Sequence, residues 1–313
     1  MACLLFSLLQ DNDDIQNPDK LSDKLTVTQE GQVISSLKRE AHTLDVFPLL
    51  DMSKYEAWVN ELDRRTYKEA VNARIGSNGQ IVPGRNGFKL NRKELLKHYY
   101  AYIYGSGPAS FEAPMYPVYP KVDTELLASL RAKQIGYYVT YYNSSNSDRS
   151  HNIVLSAKAI DSAVVFPGET FSFNRVVGIR TTGRGYKRAA VIVRGELSEG
   201  VGGGICQVSS TLFNAADRAG LNIVQRYSHS RHVPYVPPRR DATVSWGGPD
   251  FVFSNTYNQP VLIRAFAGGG SVSVAIYSSD VIEYLPRKVP SISYQLPEEI
   301  SVVPAAPSPV GGE

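Results

Sequence analysis

Cysteine is nearly absent from this chain: Cys3 and Cys206 are the only two in 313 residues. Two thiols cannot build a disulfide framework or a thiolate zinc cluster. Histidine is scarce as well, at five residues, and no His, Cys and Asp group has ligand spacing, so no metal and no cofactor is expected. No run reaches the roughly 18–20 apolar residues that a membrane-spanning helix needs. The 33 basic and 30 acidic residues leave a net charge of only +3, too small an excess for a nucleic-acid binder. There is no internal repeat and no Gly-x-y period, which excludes a collagen-like chain.

What is present is ordinary globular material. Hydrophobic residues make up 42% and charged residues 20%, which argues against wholesale disorder. The length suggests about two domains, each able to bury a core. The 19 Tyr suit carbohydrate or peptide grooves, but Tyr is equally an ordinary sheet residue.

Residues 1–9, MACLLFSLL, are apolar and are followed, after Gln10, by DNDDIQNPDK. They lack the basic n-region and small-residue cleavage site of a signal peptide. Two readings stay open: the last turns of a membrane anchor that begins upstream, or a frayed terminus. Cys3 fits a packed or lipid-facing position better than a catalytic one.

Along the chain, residues 1–24 read as a tail and solvated linker, with five Asp and two Lys in 11–24. Residues 25–122 read as a small α+β module. Ser53 to Arg65 carries Tyr55, Trp58, Val59 and Leu62 at helical spacing, with Ser53 as N-cap and Glu56 completing a capping box. Val71 to Ile75, the turn Ser77-Asn78-Gly79 and Ile81 to Pro83 read as a hairpin. Asn91 to Glu94 opens a helix that runs through Ile103 and stops at Gly105. Pro114, Pro117 and Pro120 mark a stiff extended connector, and 123–134 a linker.

Residues 135–280 read as a mainly antiparallel β domain with one or two helices packed on it, so the fold class is α+β. Gly136–Tyr142, Val164–Phe173 (interrupted by Pro167-Gly168), Ala190–Val193, Thr243–Trp246, Phe251–Phe253, Val261–Ile263 and Val272–Tyr277 supply strands, Gly195-Glu196 a turn, and Asn152–Ile160 a helix. Residues 281–313, rich in Pro, lack the apolar mass to fold.

The segment that carries chemistry is Glu199 to Gly220, EGVGGGICQVSSTLFNAADRAG. Gly202 to Gly204 permit positive φ and close backbone approach. Val208, Leu212, Ala215, Ala216 and Ala219 then fall at helical spacing, and Gly220 is placed for a C-terminal stop. Cys206 therefore sits in the first turn of a helix, where the dipole and free N–H groups favour a thiolate and can hold an oxyanion. The competing reading is a buried Cys acting as a small hydrophobe. A thiolate wants an imidazole, and His229 and His232 lie just before a segment beginning at Asp241. Asp241 can orient the ring, with Asp250 as substitute, or it can simply cap a turn and pair with Arg239 or Arg240. Cys, His, carboxylate is the order used by papain-like and transglutaminase-like thiol enzymes.

These residues resemble a VanW domain over about 135–266. The resemblance is carried by Asn152-Ile153, Pro167-Gly-Glu-Thr-Phe-Ser-Phe-Asn174, Val177-Gly178, Arg184-Gly-Tyr-Lys187, Gly202-Gly-Gly-Ile-Cys-Gln-Val-Ser-Ser-Thr211, His229-Ser230, Tyr235-Val-Pro-Pro238 and Asp241-Ala-Thr. The preceding module, through Asn72-Ala73-Arg74 and Gly87-Phe-Lys-Leu90, looks like the peptidoglycan-binding domain often found upstream of VanW. Two departures stand out: Arg239-Arg240-Asp241 replaces Gly-Arg-Asp, and Tyr227 stands where a second His is common. The latter favours His229 over His232. A Ser-His-Gly-x-Cys run, the signature of the more familiar L,D-transpeptidases, is absent.

The resemblance implies a cysteine-dependent acyltransferase of the cell wall, L,D-transpeptidase-like, acting on peptidoglycan stem peptides at the extracytoplasmic face of the envelope. Cys206 would be the nucleophile, His229 the base and acid, and Asp241 its orienter, with N–H groups from Gly204 to Gln207 as oxyanion donors. Gly203, Gly204, Gln207, Ser209, Ser210 and Tyr235 would contact or support substrate, and Asn174, Arg180 and Tyr186 would line the groove. A monomer without nucleic-acid partners is expected. The alternatives are a non-catalytic wall-binding accessory protein and a thiol peptidase that hydrolyses stem peptides.

Overall fold

The computed structural model describes residues 23–43, 50–193 and 196–291. Chain order begins with β1 (Lys24–Gln29), β2 (Gln32–Lys38), α1 (Met52–Thr66), β3 (Arg74–Ile75), β4 (Ile81–Val82), β5 (Gly87–Leu90), α2 (Arg92–Tyr104), β6 (Ala109–Glu112) and β7 (Met115–Val118). The chain divides into two compact units, and the β3–β4 hairpin, within 72–84, belongs to the second.

The first unit has a three-stranded sheet, ordered β2-β1-β6, in which β1 and β6 run parallel. Tyr55, Val59 and Leu62 of α1 and Leu95, Tyr99, Tyr102 and Ile103 of α2 bury one apolar stripe each in a shared core with Leu25 and Val27. Asn91 caps α2 as the sequence predicts, accepting from the Glu94 N–H at 3.1 Å. The cap of α1 is different. Asp51, not Ser53, takes the Ser53 and Lys54 N–H groups, since the helix starts two residues earlier and a carboxylate there also complements the dipole. The proline-spaced stretch is partly strand: β7 pairs antiparallel with β5, with Pro117 opposite Phe88.

The second unit continues with α3 (Thr124–Ser129), β8 (Lys133–Tyr141), α4 (Ser147–Ile160), β9 (Val164–Val165), β10 (Thr170–Ser172), α5 (Phe173–Val177), β11 (Arg188–Val193), β12 (Glu196–Val201), α6 (Ile205–Arg218), β13 (Asn222–Gln225), β14 (Val252–Ser254), β15 (Val261–Gly268) and β16 (Ser271–Ser278). Its main sheet is antiparallel, ordered β8-β16-β15-β9. Helices α4 and α6 pack on that sheet and on each other. A second antiparallel sheet, β10-β14-β13, closes the core with Phe171, Phe251 and Phe253. This is an α+β fold in which a cysteine-bearing helix lies on a mainly antiparallel β framework.

Three segments depart from the sequence reading. The expected linker 123–134 folds: Asp123 caps α3, and Leu127 and Leu130 are buried with Ile75 and Leu262. Thr243–Trp246 pairs with no strand, because it is docked on α6 instead. The expected unstructured tail is packed as far as it is described, with Ile282 and Val289 in the core and the Tyr138 hydroxyl donating to the Pro290 carbonyl at 2.9 Å. The apolar 1–9 segment, Gly195 and the tail beyond Ser291 lie outside the described residues.

Candidate active site

The glycine run is an elbow between β12 and α6. Gly202 has φ +90° and Gly204, the N-cap residue, +101°, a region that L side chains rarely adopt. Gly203 is required for a different reason: a Cβ there would lie 2.6 Å from the Ala189 carbonyl carbon and the Ala190 oxygen. Buried Asn152 of α4 fixes the elbow by donating to the Gly203 carbonyl (3.0 Å) and to Lys187 O (2.9 Å), while accepting from the Lys187 N–H (2.8 Å). Cys206 follows as the second residue of α6, half-buried and unpaired with any other cysteine.

The extended segment 240–244 is fastened along α6 at matched intervals. The Val244 N–H donates to Cys206 Sγ at 3.5 Å, the Ala242 N–H to Ser210 Oγ at 2.8 Å, and Asn214 Nδ2 donates to the Arg240 carbonyl at 2.8 Å. Arg240 adds bonds to Asn214 Oδ1 (2.7 Å) and Asp217 (2.7 Å). The match is geometric: four helical residues advance about 6 Å and two extended residues about 6.6 Å. Positions 206, 210 and 214 therefore meet 244, 242 and 240 in register. The alternate residues are left to reach elsewhere. Thr243 Oγ1 lies 3.8 Å from the sulfur, and Asp241 turns to His229.

The Asp241 carboxylate accepts from His229 Nδ1 at 2.6 Å and from the His229 backbone N–H at 2.6 Å. Both side chains are nearly enclosed, at 6% and 8% exposed. With Nδ1 held there, the other ring nitrogen is the one left for the Cys206 sulfur, and the imidazole acts on that thiol to favour its charged form. Burial alone opposes charge on all three groups, but the mutual bonds win. His229 is raised from 6.5 to about 9 by Asp241 and Cys206, against desolvation. Desolvation pushes the Cys206 thiol up, yet the hydrogen bond and charge of His229, with Val244 N–H and Thr243, hold it below its ordinary value. Desolvation likewise raises Asp241, and His229 outweighs it, so the carboxyl is lowered. The arrangement therefore favours a thiolate beside an imidazolium, buttressed by a carboxylate.

Of the other residues singled out by sequence, His232 is exposed and Asp250 is not beside the ring. Asp250 instead receives Ser172 Oγ (2.5 Å), Asn174 N–H (2.9 Å) and Phe251 N–H (2.8 Å). Gln207, Ser209 and Ser210 are 0% exposed and fasten elements rather than line a groove. Gln207 joins Arg149 to Thr140 and the Tyr141 carbonyl, and Ser209 and Ser210 hold Ala242 and the Cys206 carbonyl. The first-turn donors are also fewer than expected, because the Ile205 and Gln207 N–H groups already bond to Gly202 and Gly204 carbonyls. Tyr186 and Tyr235 are buried, Tyr235 beside Ser210, with burial raising both phenols.

Asn174 ties α5 to the Ser245 and Pro249 carbonyls, but its Oδ1 is buried without a partner. The terminal nitrogens of Arg180 are buried and unpartnered too. Burial lowers the Arg180 pKa, against the attraction of Tyr186, Cys206 and Asp250. Sequence reasoning missed Val244, Thr243 and Arg240 as parts of the site. The available signal was the polar series at 210 and 214, one and two steps of four beyond Cys206. Among the described residues no group of three His, Cys, Asp or Glu can hold a metal, and no helix is long and apolar enough to cross a membrane.

Residues 148–277, which contain this whole constellation, match the family model described as VanW like protein. The chain is 58% identical to the uncharacterized protein YoaR of Bacillus subtilis (strain 168), over 92% of this chain and 95% of that protein. It is also 38% identical, over 25% of this chain and 28% of that protein, to the vancomycin B-type resistance protein VanW of Enterococcus faecalis (strain ATCC 700802 / V583). No solved structure matches.

Proposed function

The chain belongs to the VanW family, and from that premise we propose a cell-wall thiol acyltransferase that joins peptidoglycan stem peptides through a thioester on Cys206, in the manner of an L,D-transpeptidase. The observation that supports this reading best is His229 Nδ1 bonded to Asp241 at 2.6 Å, with the imidazole favouring the charged form of the Cys206 thiol. A sulfur acting only as core filler needs no such partner.

In the proposed reaction the thiolate attacks the carbonyl that precedes the terminal D-Ala of a stem tetrapeptide. The Cys206 N–H at the start of α6 and its dipole oppose the developing oxyanion charge; one such donor is worth roughly 3–4 kcal/mol in a preorganised site. The C–N bond breaks, the His229 imidazolium gives its proton to the departing amine, and a thioester remains. His229, now neutral, takes a proton from the side-chain amine of a neighbouring stem as that amine attacks the thioester. The new amide forms, and the sulfur leaves as thiolate beside a reprotonated ring. Water in place of the amine would give hydrolysis. The reading also assigns the chain to the extracytoplasmic side of the envelope, as a monomer, with the first unit as its wall-binding part.

The test is product analysis on purified tetrapeptide muropeptides. Cross-linked dimers plus free D-Ala are expected from the native protein and neither from Cys206→Ala. Tripeptide monomers without dimers would identify a peptidase. Unchanged products with Cys206→Ala would remove the thiol from the mechanism.

A further inference from the structure

A guanidinium with no partner is among the most expensive groups to bury, because its hydration is lost without replacement. Both terminal nitrogens of Arg180 are in that state. Asp250, whose charge reaches Arg180, forms no bond to it: its oxygens accept from Ser172, Asn174 and Phe251. The stem of Arg180 packs on the elbow two residues before the cap of α6, since a Cβ on Gly202 would lie 3.2 and 3.3 Å from Arg180 Cβ and Cγ. Its Cζ stands 5.7 Å from the centre of the Phe173 ring, so a ring lies close to the charge while the N–H donors stay unpaired. A fork of paired N–H donors matches a carboxylate bidentately, which a single oxyanion or an amide carbonyl cannot use fully.

We propose that Arg180 is the carboxylate receptor of the Cys206 site, taking the free C-terminal carboxylate of the peptide residue that departs when the thioester forms. The site thereby selects peptides that end one residue beyond the attacked carbonyl and rejects extended or C-terminally amidated ones. This inference rests on Cys206 as the reacting sulfur, but its test requires no acyl transfer.

The test compares alkylation of Cys206 by iodoacetate and iodoacetamide in a Cys3→Ser background, read by peptide mass. The native site is expected to favour the anionic reagent relative to the unfolded chain. Arg180→Gln is expected to lower the iodoacetate-to-iodoacetamide rate ratio about tenfold or more, and Arg180→Lys to retain part of it. An unchanged ratio in Arg180→Gln would overturn the assignment, as would a thiol that neither reagent reaches. Should Arg180→Gln fail to fold, protection of the native thiol decides: N-acetyl-D-alanine must slow alkylation and N-acetyl-D-alaninamide must not. Equal protection by both, or by neither, would contradict it. Loss of muropeptide cross-linking without loss of this preference would instead count against the transpeptidase reading alone.

Discussion

One oxygen of Asp241, Oδ2, accepts two bonds from the same residue, at 2.6 Å from His229 Nδ1 and 2.6 Å from its backbone N–H. The carboxylate thus fixes both the ring and the chain that carries it. That double hold sets which nitrogen is left for the sulfur and favours the imidazolium, which in turn favours the thiolate.

The first consequence concerns pH. The thiolate ultraviolet absorbance of native protein minus Cys206→Ser is expected to appear at a lower pH than that of an ordinary thiol, and to move back up in His229→Gln. Stability should follow with opposite signs for the two partners. The His229 contribution, from a pKa raised to about 9, is complete below about 6.5 and fades as pH rises through about 9. The Cys206 contribution, from a lowered pKa, is full only above the unfolded thiol value and fades as pH falls through the folded one. In a Cys206→Ser background, where only the His229 contribution remains, denaturant midpoints with and without His229→Gln should therefore converge as pH rises from 6 to 10. A constant gap would disprove the linkage.

Asp241→Asn should keep the size of the side chain and lose its charge. The His229 pKa is expected to fall from about 9 toward 6.5, measured by NMR titration. Turnover on stem peptides should drop by roughly 10²–10⁴-fold, the range carried by a positioned acid–base group. A His229 titration unmoved by the substitution would mean that the carboxylate is only a structural cap.

Much of this site was legible in the sequence. Three glycines before an apolar-periodic run place Cys206 at a helix start, and the order of His229 and Asp241 after it is visible by eye. What sequence could not supply is the docking of 240–244 on α6. Thr243-Val244-Ser245-Trp246 alternates like a strand, and only the coincidence of four helical with two extended residues shows that its partner is a helix. The same blindness hid the packing of Ile282 and Val289, which local composition marks as tail, because burial there comes from distant residues such as Tyr138 and Arg218.

Ser210→Ala tests the docking. It strips the buried Ala242 N–H and the Cys206 carbonyl of their Ser210 partner, at a cost of about 1–3 kcal/mol for the N–H left unpaired. The thermal midpoint should fall, and Cys206 alkylation at neutral pH should slow as Asp241 and His229 lose register. Loss of stability with native thiol reactivity would show that the fastening does not position the ring.

Gly203→Ala and Gly79→Ala separate close packing from backbone preference. A Cβ at Gly79, where φ is +81°, meets nothing within 4 Å, so only the left-handed penalty of about 1–2 kcal/mol applies. A Cβ at Gly203 collides with the backbone of Ala189 and Ala190. Gly203→Ala is expected to disturb the elbow and slow Cys206 alkylation at least fivefold, while Gly79→Ala leaves that rate within twofold. Equal rates for the two variants would show that the elbow tolerates displacement.

Acylation of the sulfur is the most direct measurement. Intact-protein mass spectrometry after brief exposure to stem tetrapeptide, quenched in acid, should show an adduct equal to the peptide less its terminal D-Ala. The adduct should map to Cys206, discharge on adding an amine acceptor, and be missing from Cys206→Ala. D-Ala release with no adduct on Cys206, or the same adduct in Cys206→Ala, would contradict thioester transfer.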